Sequence, residues 1–384
     1  MNISFLTPEY PHPKIKRSAG IATSIKNLAT SIVNKNHQVY VFVYGQDSSE
    51  IINDNGIEIH KIAYKKYSFF SWFLYRKDIQ RYINNIIKEK NIQLLEAQDW
   101  TGITAFMTFK CPLLIRLHGT DAYFCHLEGR KQKFKNRLFE KLALKSADYI
   151  TSVSEFTAKT TKRIFHLSKE IKVIHNGIDI QLFKSSEVSN LDTLNEKILY
   201  FGSLIRKKGV LELAEIFNEV VKEKPLAQLT LLGTDVIDIF EKTSTLQLFR
   251  DNLSFNAKKN VTHVAHLPYN EVKNYIAKAK VVVLPSFAEA FPMTWLESMA
   301  MEKGLVTSNI GWANELMIDG KTGFIEDPKN HKLYASKIVQ LLDNKELNAT
   351  FGKNARKHIE TNFSQEIIVN KNINYFETII YDRT

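Results

Sequence analysis

The stretch that decides the fold reads VVVLPSFAEAFPMTWLESMA and runs from Val281 to Ala300. Its first four residues are apolar and mostly β-branched, which predicts a buried strand that ends at Pro285. A loop follows, and apolar residues at helical spacing then predict a helix that begins near Thr294. Thr294 and Glu297 fit a capping box, in which Glu297 would bond the backbone N–H of the cap residue. Strand, loop and helix in this order form the repeating unit of a parallel sheet covered by helices.

The same alternation runs along the whole chain and gives more strands than one open sheet of usual size holds. The predicted strands are 3–7, 38–44, 58–62, 92–98, 112–117, 149–153, 172–174, 198–202, 228–233, 261–267, 280–285, 305–308 and 323–326. We therefore predict an α/β fold with two doubly wound Rossmann-like domains, residues 1–190 and 191–364, facing each other across a cleft. The polar stretch 185–196 marks the boundary. A last helical pattern, about residues 365–384, has no strand after it and is expected to pack back on the first domain.

Composition places the chain among ordinary globular proteins, with 44% apolar and 24% charged residues. Its two cysteines, Cys111 and Cys125, are too few for a disulfide framework and favour a reducing, cytoplasmic setting. The N-terminus has the pattern of a first strand and not of a signal peptide. No apolar run approaches the about 20 residues that a membrane-spanning helix needs.

The loop after the strand at 281–284 and the helix that follows it would present free N–H groups to an anion. A diphosphate there, with Glu289 and Glu297 accepting hydrogen bonds from sugar hydroxyls, would make a nucleotide-sugar site. Two glutamates at this spacing are weak support on their own, and the capping box is the alternative interpretation. Ligands of open parallel sheets bind at the carboxyl ends of the strands, so the cleft between two such sheets is the predicted active site.

Glu289 and Glu297, with seven residues between them, resemble the Glu-x7-Glu motif of the retaining glycosyltransferases of family 4, which have the two-domain GT-B fold. Five further motifs resemble this family in the same order along the chain, so the resemblance covers essentially its full length. They are Pro8–Tyr10 with the start of the first helix at 18–21, the His-Gly-x-Asp sequence 118–121, the turn 172–179, the phosphate-binding strand and loop 199–209, and the stretch 311–324.

The resemblance implies retaining, metal-independent transfer of a hexose from a nucleoside-diphosphate sugar. A UDP-sugar is favoured as donor, and the acceptor would be a glycan or lipid-linked molecule in bacterial surface polysaccharide or glycoconjugate synthesis. It implies catalytic roles for His118, Glu289 and Lys208. It implies donor binding by Gly20, Gly202, Arg206, Lys208, Phe291, Met293, Thr294 and Glu297, and supporting roles for Asp121, Asn176 and Glu315.

Individual roles follow from the same resemblance. Glu297 would hold the ribose hydroxyls, and Glu289 would face the transferred sugar and the diphosphate. Lys208 and Arg206 would neutralise the departing diphosphate, where negative charge develops. The family usually has Arg where this chain has Ser203, so Arg206 is expected to take over that contact.

Other family positions also differ. Ala19 and Trp312 stand where the family commonly has glycine, and Pro292 replaces a glycine and removes one N–H donor from the loop. These changes leave two alternatives open. The chain would be a non-catalytic nucleotide-sugar-binding partner subunit, or a nucleotide-sugar epimerase on the same fold.

The sequence lacks the motifs of several other kinds of enzyme chemistry. There is no Asp-x-Asp, no Gly-x-Gly-x-x-Gly, no phosphate-binding P-loop and no Cys/His cluster with metal-ligand spacing. We therefore predict no metal and no cofactor, the nucleotide-sugar being a substrate.

The excess of positive over negative residues lies in the first half of the chain. Residues 1–190 hold 28 Lys and Arg against 17 Asp and Glu, whereas the rest of the chain holds 24 of each.

Two segments, 64–77 and 123–137, combine aromatic residues with cations, which suits an anionic membrane surface or a lipid-linked acceptor. Solvated lysines and ordinary core aromatics are the alternative interpretation. Single-stranded nucleic acid is disfavoured by the donor motif. We predict peripheral contact with the inner face of the plasma membrane.

Overall fold

The computed structural model describes residues 1–16, 20–185, 196–265 and 267–382. The chain divides into two compact units. The first comprises Met1–Gly177 together with the segment that begins at Gln365, and the second is Ile178–Ser364. The division therefore falls at Gly177 and not at residue 190, where the sequence suggested it. Residues 186–195 of the expected interdomain stretch lie outside the described residues.

The first unit is built on an eight-stranded sheet. Its strands are β1 (Asn2–Thr7), β2 (Gln38–Gln46), β3 (Glu50–Asp54), β4 (Ile57–Ala63), β5 (Leu94–Gln98), β6 (Leu113–Leu117), β7 (Tyr149–Ser152) and β8 (Lys172–Val173). Their order across the sheet is β3-β4-β2-β1-β5-β6-β7-β8. The helices that connect them are α1 (Gly20–Val33), α2 (Ser71–Glu89), α3 (Asp121–Leu127), α4 (Phe134–Ser146) and α5 (Glu155–Phe165).

Helices cover both faces of this sheet, and each face carries its own apolar core. Apolar residues of α1 pack with those of β1 and β2 on one face. Residues of α2 and α4 pack with those of β5 and β6 on the other. Central strands with apolar residues on both faces are what a parallel sheet requires, and β1, β5 and β6 are almost entirely buried.

One strand of the first unit was missing from the sequence prediction. β3 lies at the edge of the sheet and pairs antiparallel with β4, whereas all other neighbouring strands are parallel. Asn55 and Gly56 form the turn between them, with φ angles of 53° and 86°. Asn-Gly is the dipeptide that favours this left-handed two-residue turn, so the sequence carried an indication of the hairpin that we did not use.

The second unit contains a six-stranded, wholly parallel sheet. Its strands are β9 (Lys197–Phe201), β10 (Gln228–Leu232), β11 (Val261–Val264), β12 (Val281–Leu284), β13 (Gly304–Ser308) and β14 (Phe324–Glu326). Their order is β11-β10-β9-β12-β13-β14. The helices are α6 (Val210–Glu223), α7 (Thr245–Asp251), α8 (Phe255–Lys258), α9 (Tyr269–Lys278), α10 (Met293–Ala300), α11 (Ala313–Leu316), α12 (His331–Asp343) and α13 (Lys345–Asn362).

The C-terminal helix α14 (Gln365–Tyr381) packs in the first unit. Val369, Phe376 and Ile379 are buried in the same core as Ile25 and Ile32 of α1. Its Asn372 also accepts a hydrogen bond from the buried Arg116 of β6. No described helix is both long enough and apolar enough to cross a membrane.

In each sheet the strand order reverses at one place. In the first unit the reversal lies between β1 and β5, and in the second it lies between β9 and β12. Loops leave such neighbouring strands in opposite directions and open a crevice at their carboxyl ends, where ligands of doubly wound sheets bind. The fold thus places one crevice on each sheet.

Candidate active site

In the second unit, the loops that follow β9, β10 and β12 touch one another at the carboxyl end of the sheet. Two glycines allow this approach. A Cβ added at Gly209 would lie 1.9 Å from the carbonyl oxygen of Pro285, and one at Gly233 would lie 2.0 Å from that of Gly202. Both glycines have positive φ angles, which a side chain disfavours. The carbonyl of Lys207 also accepts N–H groups of the loop after β12, so the loops are held as one frame.

Lys208 and Glu289 meet within this frame. Lys208 ends a 3₁₀ turn after β9, and its Nζ lies 3.1 Å from Oε1 of Glu289 in the loop after β12. Ser286 Oγ lies 3.4 Å from the same carboxylate oxygen. A Cβ at Gly202 would come within 3.4 Å of Lys208 Nζ, so Gly202 leaves room for the ammonium group. A cation and a carboxylate that are both half-buried therefore stand at the point where the strand order reverses.

Glu297 lies in the middle of α10 and is almost completely buried. Its Oε1 accepts a hydrogen bond of 2.8 Å from Tyr269 Oη, at the start of α9. Burial raises the pKa of Glu297 to about 7, against the Tyr269 hydrogen bond and the Lys208 charge, which both lower it. The capping-box interpretation is wrong, because the helix begins at Met293 after Pro292 and Glu297 bonds Tyr269. The Glu297 carboxylate instead forms a buried acceptor near Lys208.

The N-terminus of α10 lies in the same crevice. The N-cap is Pro292, whose side chain makes no capping hydrogen bond. Met293 and Thr294 form the first turn and are half-buried, and Phe291 before them is buried with its ring 5.5 Å from that of Phe363. Backbone N–H groups in a first helical turn have no partner within the helix, so this end suits an anion.

Arg206 is engaged elsewhere. Its Nε and Nη2 donate to the two carboxylate oxygens of Asp238 at 2.8 and 3.1 Å, and its guanidinium stacks on Phe240. The side chain of Asp238 is fully buried, and the Arg206 hydrogen bond lowers its pKa to about 2. The structure therefore brings Lys208, but not Arg206, to Glu289. The expectation that Arg206 replaces the arginine absent at Ser203 receives no support from this pairing.

The remaining predicted residue of the second unit is Glu315. It is half-buried on α11, a short helix after β13. Trp312, which stands where the resemblance led us to expect glycine, is completely buried and precedes that helix. Its ring is thus part of the interior of the second unit.

In the first unit, His118 follows β6 directly and is 8% exposed. Burial, together with the positive charge of Arg116, lowers the pKa of His118 to about 3. The imidazole is therefore neutral at physiological pH and can donate one hydrogen bond and accept another.

Two buried polar side chains, Gln98 and Asp99, lie at the carboxyl end of the neighbouring strand β5. Among the described residues, the side-chain amide of Gln98 has no hydrogen-bond partner. Burial raises the pKa of Asp99 to about 8, and the charge of Glu140 adds to this effect. The backbone N–H groups of His118 and Gly119 oppose it. Unpaired buried polar atoms are costly, so their presence at a switch point indicates a site for a polar ligand.

Asp121 begins α3, and Thr120 is the N-cap of that helix. The carboxylate of Asp121 accepts hydrogen bonds from Asn136 and Arg130. Glu140 of α4 is completely buried and accepts the N–H groups of Asp121, Ala122 and Thr101, as well as the Gln132 amide. Burial raises its pKa to about 7. Glu140 thereby ties the loops after β5 and β6 to α4.

Gly20 and Asn176 lie near the first helix. Gly20 is the first residue of α1, and a Cβ there would meet nothing within 4 Å. Glu9 accepts the N–H of Ala22 at 3.0 Å. Asn176 is buried after β8 and accepts a hydrogen bond of 3.0 Å from Ser24 of the same helix. Ser18 and Ala19 of the predicted motif lie outside the described residues.

The sequence did not single out Tyr269, Gln98, Asp99 or Glu140. For Gln98 and Asp99 an indication was available, because two polar residues stand at the carboxyl end of a predicted apolar strand, where ligands of parallel sheets bind. Tyr269 and Glu140 carry no local pattern, since each acts on a segment distant in sequence. Across the described part of the chain, no group of three His, Cys, Asp or Glu side chains could hold a metal ion. Metal independence stays a prediction.

Comparison with known proteins identifies the class of the molecule. The Glycosyltransferase Family 4 model matches residues 18–182, and the Glycosyl transferases group 1 model matches residues 183–358. Two such matches on two Rossmann-like units define a glycosyltransferase of the GT-B fold, which confirms the predicted fold class. The chain belongs to the family 4 glycosyltransferases.

Individual relatives agree with this assignment. An uncharacterized glycosyltransferase of Methanocaldococcus jannaschii is 26% identical, over 94% of this chain and 94% of that protein. The capsular polysaccharide biosynthesis glycosyltransferase CapM of Staphylococcus aureus is 28% identical, over 60% of this chain and 62% of that protein. Among solved structures, HepE of Anabaena in complex with UDP-glucose has a TM-score of 0.76 at 18% identity, covering 98% of this chain and 100% of that chain. The last likeness concerns the fold alone.

Proposed function

We propose that this glycosyltransferase moves a hexose, with retention of anomeric configuration and without a metal, from a UDP-sugar to a glycan or lipid-linked acceptor. The pathway would be the synthesis of a bacterial surface polysaccharide or glycoconjugate. The observation that carries the proposal is the Lys208–Glu289 ion pair at the switch point of the second sheet, together with the buried Glu297, whose pKa the Lys208 charge lowers. The UDP-glucose complex of HepE supports the donor, and the name of CapM supports the acceptor class.

The donor would lie against the crevice of the second unit. Glu297, held by Tyr269, would accept hydrogen bonds from the two ribose hydroxyls, for which an ionised carboxylate is the suitable form. The diphosphate would meet the N–H groups of Met293 and Thr294 in the first turn of α10. Glu289 would face a hydroxyl of the transferred hexose.

Lys208 would supply the main electrostatic contribution to the reaction. As the bond between the anomeric carbon and the diphosphate oxygen breaks, its electron pair leaves with that oxygen. The acceptor oxygen bonds to the anomeric carbon, and its proton passes to the departing diphosphate oxygen. A fixed ammonium group beside the leaving oxygen stabilises this charge more in the transition state than in the ground state. Removing one such contact typically costs about 3–4 kcal/mol.

In the first unit, His118 would contact the transferred sugar as a neutral imidazole, because the pKa of about 3 leaves no positive charge near pH 7. Asp121 would act on the loop that carries His118 and not on substrate, since its carboxylate is occupied by Asn136 and Arg130. His118 is therefore expected to orient a sugar hydroxyl and not to donate a proton.

The experiment that tests this function is release of nucleoside diphosphate from a panel of UDP-, GDP-, ADP- and dTDP-sugars, with and without glycan acceptors. We expect turnover with one UDP-sugar only when an acceptor is present, and a product with the donor's anomeric configuration. EDTA should leave the rate unchanged.

Two outcomes would replace the proposal. Conversion of the sugar without any acceptor would favour the epimerase alternative. Nucleotide-sugar binding with no release under any acceptor would favour a non-catalytic partner subunit.

A further inference from the structure

The first unit exposes a group of large apolar side chains where the N-terminal ends of α2 and α4 meet. We call the following residues the aromatic patch: Phe69, Phe70, Leu74, Phe106, Phe134 and Leu138. Phe69 is 79% exposed, Phe70 72% and Phe134 80%. Large exposed apolar side chains gathered in one place, unlike scattered ones, indicate an interaction surface.

Buried and half-buried rings join the two helix ends beneath the patch. Trp72 of α2 lies 4.9 Å from Phe139 of α4 and 5.6 Å from Phe106. Phe73 lies 5.9 Å from Phe106. The Nζ of Lys135, which follows Phe134 in the chain, stands over the ring of Trp72 at 5.4 Å. These contacts join the start of α2, the turn at Phe106 and the start of α4 beneath the patch.

The charges around the patch are positive. Helix α4 exposes the cations Lys135, Arg137, Lys141 and Lys145, and its single carboxylate, Glu140, is completely buried. The loop before it adds the exposed Lys131 and Lys133, and Lys65 and Lys66 stand just before Phe69. Residues 1–190 as a whole carry 28 Lys and Arg against 17 Asp and Glu. An occupant of this surface must therefore accept apolar side chains and be negatively charged.

Backbone geometry gives a second, independent indication. Phe70 and Phe106 both have left-handed backbone conformations, with φ angles of 48° and 66°. Such a conformation costs about 1 kcal/mol or more for a bulky residue that is not glycine, and it concentrates at functional positions. Asn or Gly would adopt this conformation with less strain, and an exposed phenylalanine ring gains no stabilisation from contact with water. The ring of Phe106 packs against Trp72 and Phe73, but that of Phe70 is 72% exposed, so its strained conformation is explained if the ring itself has a use at the surface.

We propose that the aromatic patch docks this protein on the surface of an anionic lipid bilayer. The phenylalanines and leucines would enter the boundary between head groups and acyl chains, while the lysine ammonium groups meet lipid phosphates. A nucleic acid would satisfy the cations as well, but Leu74 and Leu138 cannot stack on bases, so the bilayer fits the composition better. The inference goes beyond the transferase activity and does not depend on it.

The test is co-sedimentation of the full chain with vesicles, which needs no turnover. We expect binding to vesicles of phosphatidylcholine with phosphatidylglycerol at low salt, weaker binding as salt rises, and none to phosphatidylcholine alone. The double variant Phe69→Ser with Phe70→Ser should lower the partition coefficient at least about tenfold, because it removes two rings that the bilayer would bury and leaves the charge unchanged.

The second unit offers a matched control. Phe255 is 75% exposed, and Nζ of Lys259 stands 4.1 Å from its ring centroid, so it reproduces an exposed ring beside a cation outside the patch. Phe255→Ser should bind vesicles as the parent does, and thermal unfolding of all variants should match because each ring is at the surface.

Three results would overturn the proposal. One is failure of the parent protein to bind anionic vesicles at any salt concentration. Another is equal binding by the Phe69/Phe70 variant, which would reduce the contact to general electrostatic attraction. The last is complete displacement from vesicles by a small amount of single-stranded nucleic acid, which would identify a different partner for the same surface.

Discussion

Replacing Lys208 by methionine tests the chemistry of the proposed donor crevice most sharply. Methionine keeps much of the length of the side chain and removes the ammonium group that stands 3.1 Å from Glu289. If this ammonium group stabilises the departing diphosphate, its loss costs about 3–4 kcal/mol in the transition state, which lowers kcat by roughly 10²–10³-fold. KM for the donor should rise by much less, because most of that stabilisation appears only as the bond breaks.

Steady-state release of nucleoside diphosphate, with saturating acceptor, gives both constants. Lys222→Met is a suitable control, since Lys222 is exposed on α6 and pairs with Glu219 one turn away. Lys208→Arg should recover part of the rate because it restores the charge with a different shape. A kcat within threefold of the parent for Lys208→Met, in a folded protein, would refute the assignment of Lys208 to the leaving group.

Three further predictions follow from the geometry. Arg206→Ala should lower the melting temperature by several degrees, because it leaves the buried carboxylate of Asp238 without its cationic partner, and should change kcat less than tenfold. Normal stability with a large loss of kcat would instead assign Arg206 to the diphosphate. The affinity for the nucleotide should fall by up to about tenfold from about pH 8 to about pH 6, because burial raises the pKa of Glu297 to about 7 and protonation removes a hydrogen-bond acceptor for the ribose. Calorimetric titration at both pH values, repeated with Glu297→Gln, measures this change. Burial raises the pKa of Asp99 to about 8, so the unfolded carboxyl ionises before the folded one and stability falls as pH rises from about 4 to about 8. Asp99→Asn should therefore raise the melting temperature much more near pH 8.5 than near pH 5, and an equal shift at both pH values would contradict the argument.

Much of the fold could be predicted from the sequence, because buried parallel strands are short apolar runs with clear ends. The strand predicted at 149–153, for example, is observed at Tyr149–Ser152, and the last helix begins at Gln365 as expected. The edge strand β3 escaped because it is half-exposed and its pattern, EIIND, is weakly apolar. A short edge strand is best identified in a sequence by its hairpin turn, and the Asn55-Gly56 turn was not used for the prediction.

The candidate site was predictable where function rests on a local motif and not where it rests on contacts between distant segments. Glu289 and Glu297 belong to one loop and helix, so their spacing pointed to them. Arg206 was assigned because it lies three residues after Ser203, where the family usually has arginine. Its side chain and that of Lys208, in the same 3₁₀ turn, have different partners. The partner Asp238 follows a different strand, and only the folded sheet brings it near.

The central claim is that the crevice of the second unit binds a nucleotide-sugar through Glu297, and thermal unfolding against the same nucleotide-sugar panel tests it most directly. The proteins to compare are the parent, Glu297→Ala and, as control, Glu271→Ala, an exposed glutamate on the helix that carries Tyr269. A ligand at about 100 times its Kd adds roughly 2.7 kcal/mol, a shift of several degrees. We predict that one UDP-sugar shifts the parent and Glu271→Ala but not Glu297→Ala. An equal shift of all three proteins, or none in the parent with any nucleotide-sugar, would contradict the account.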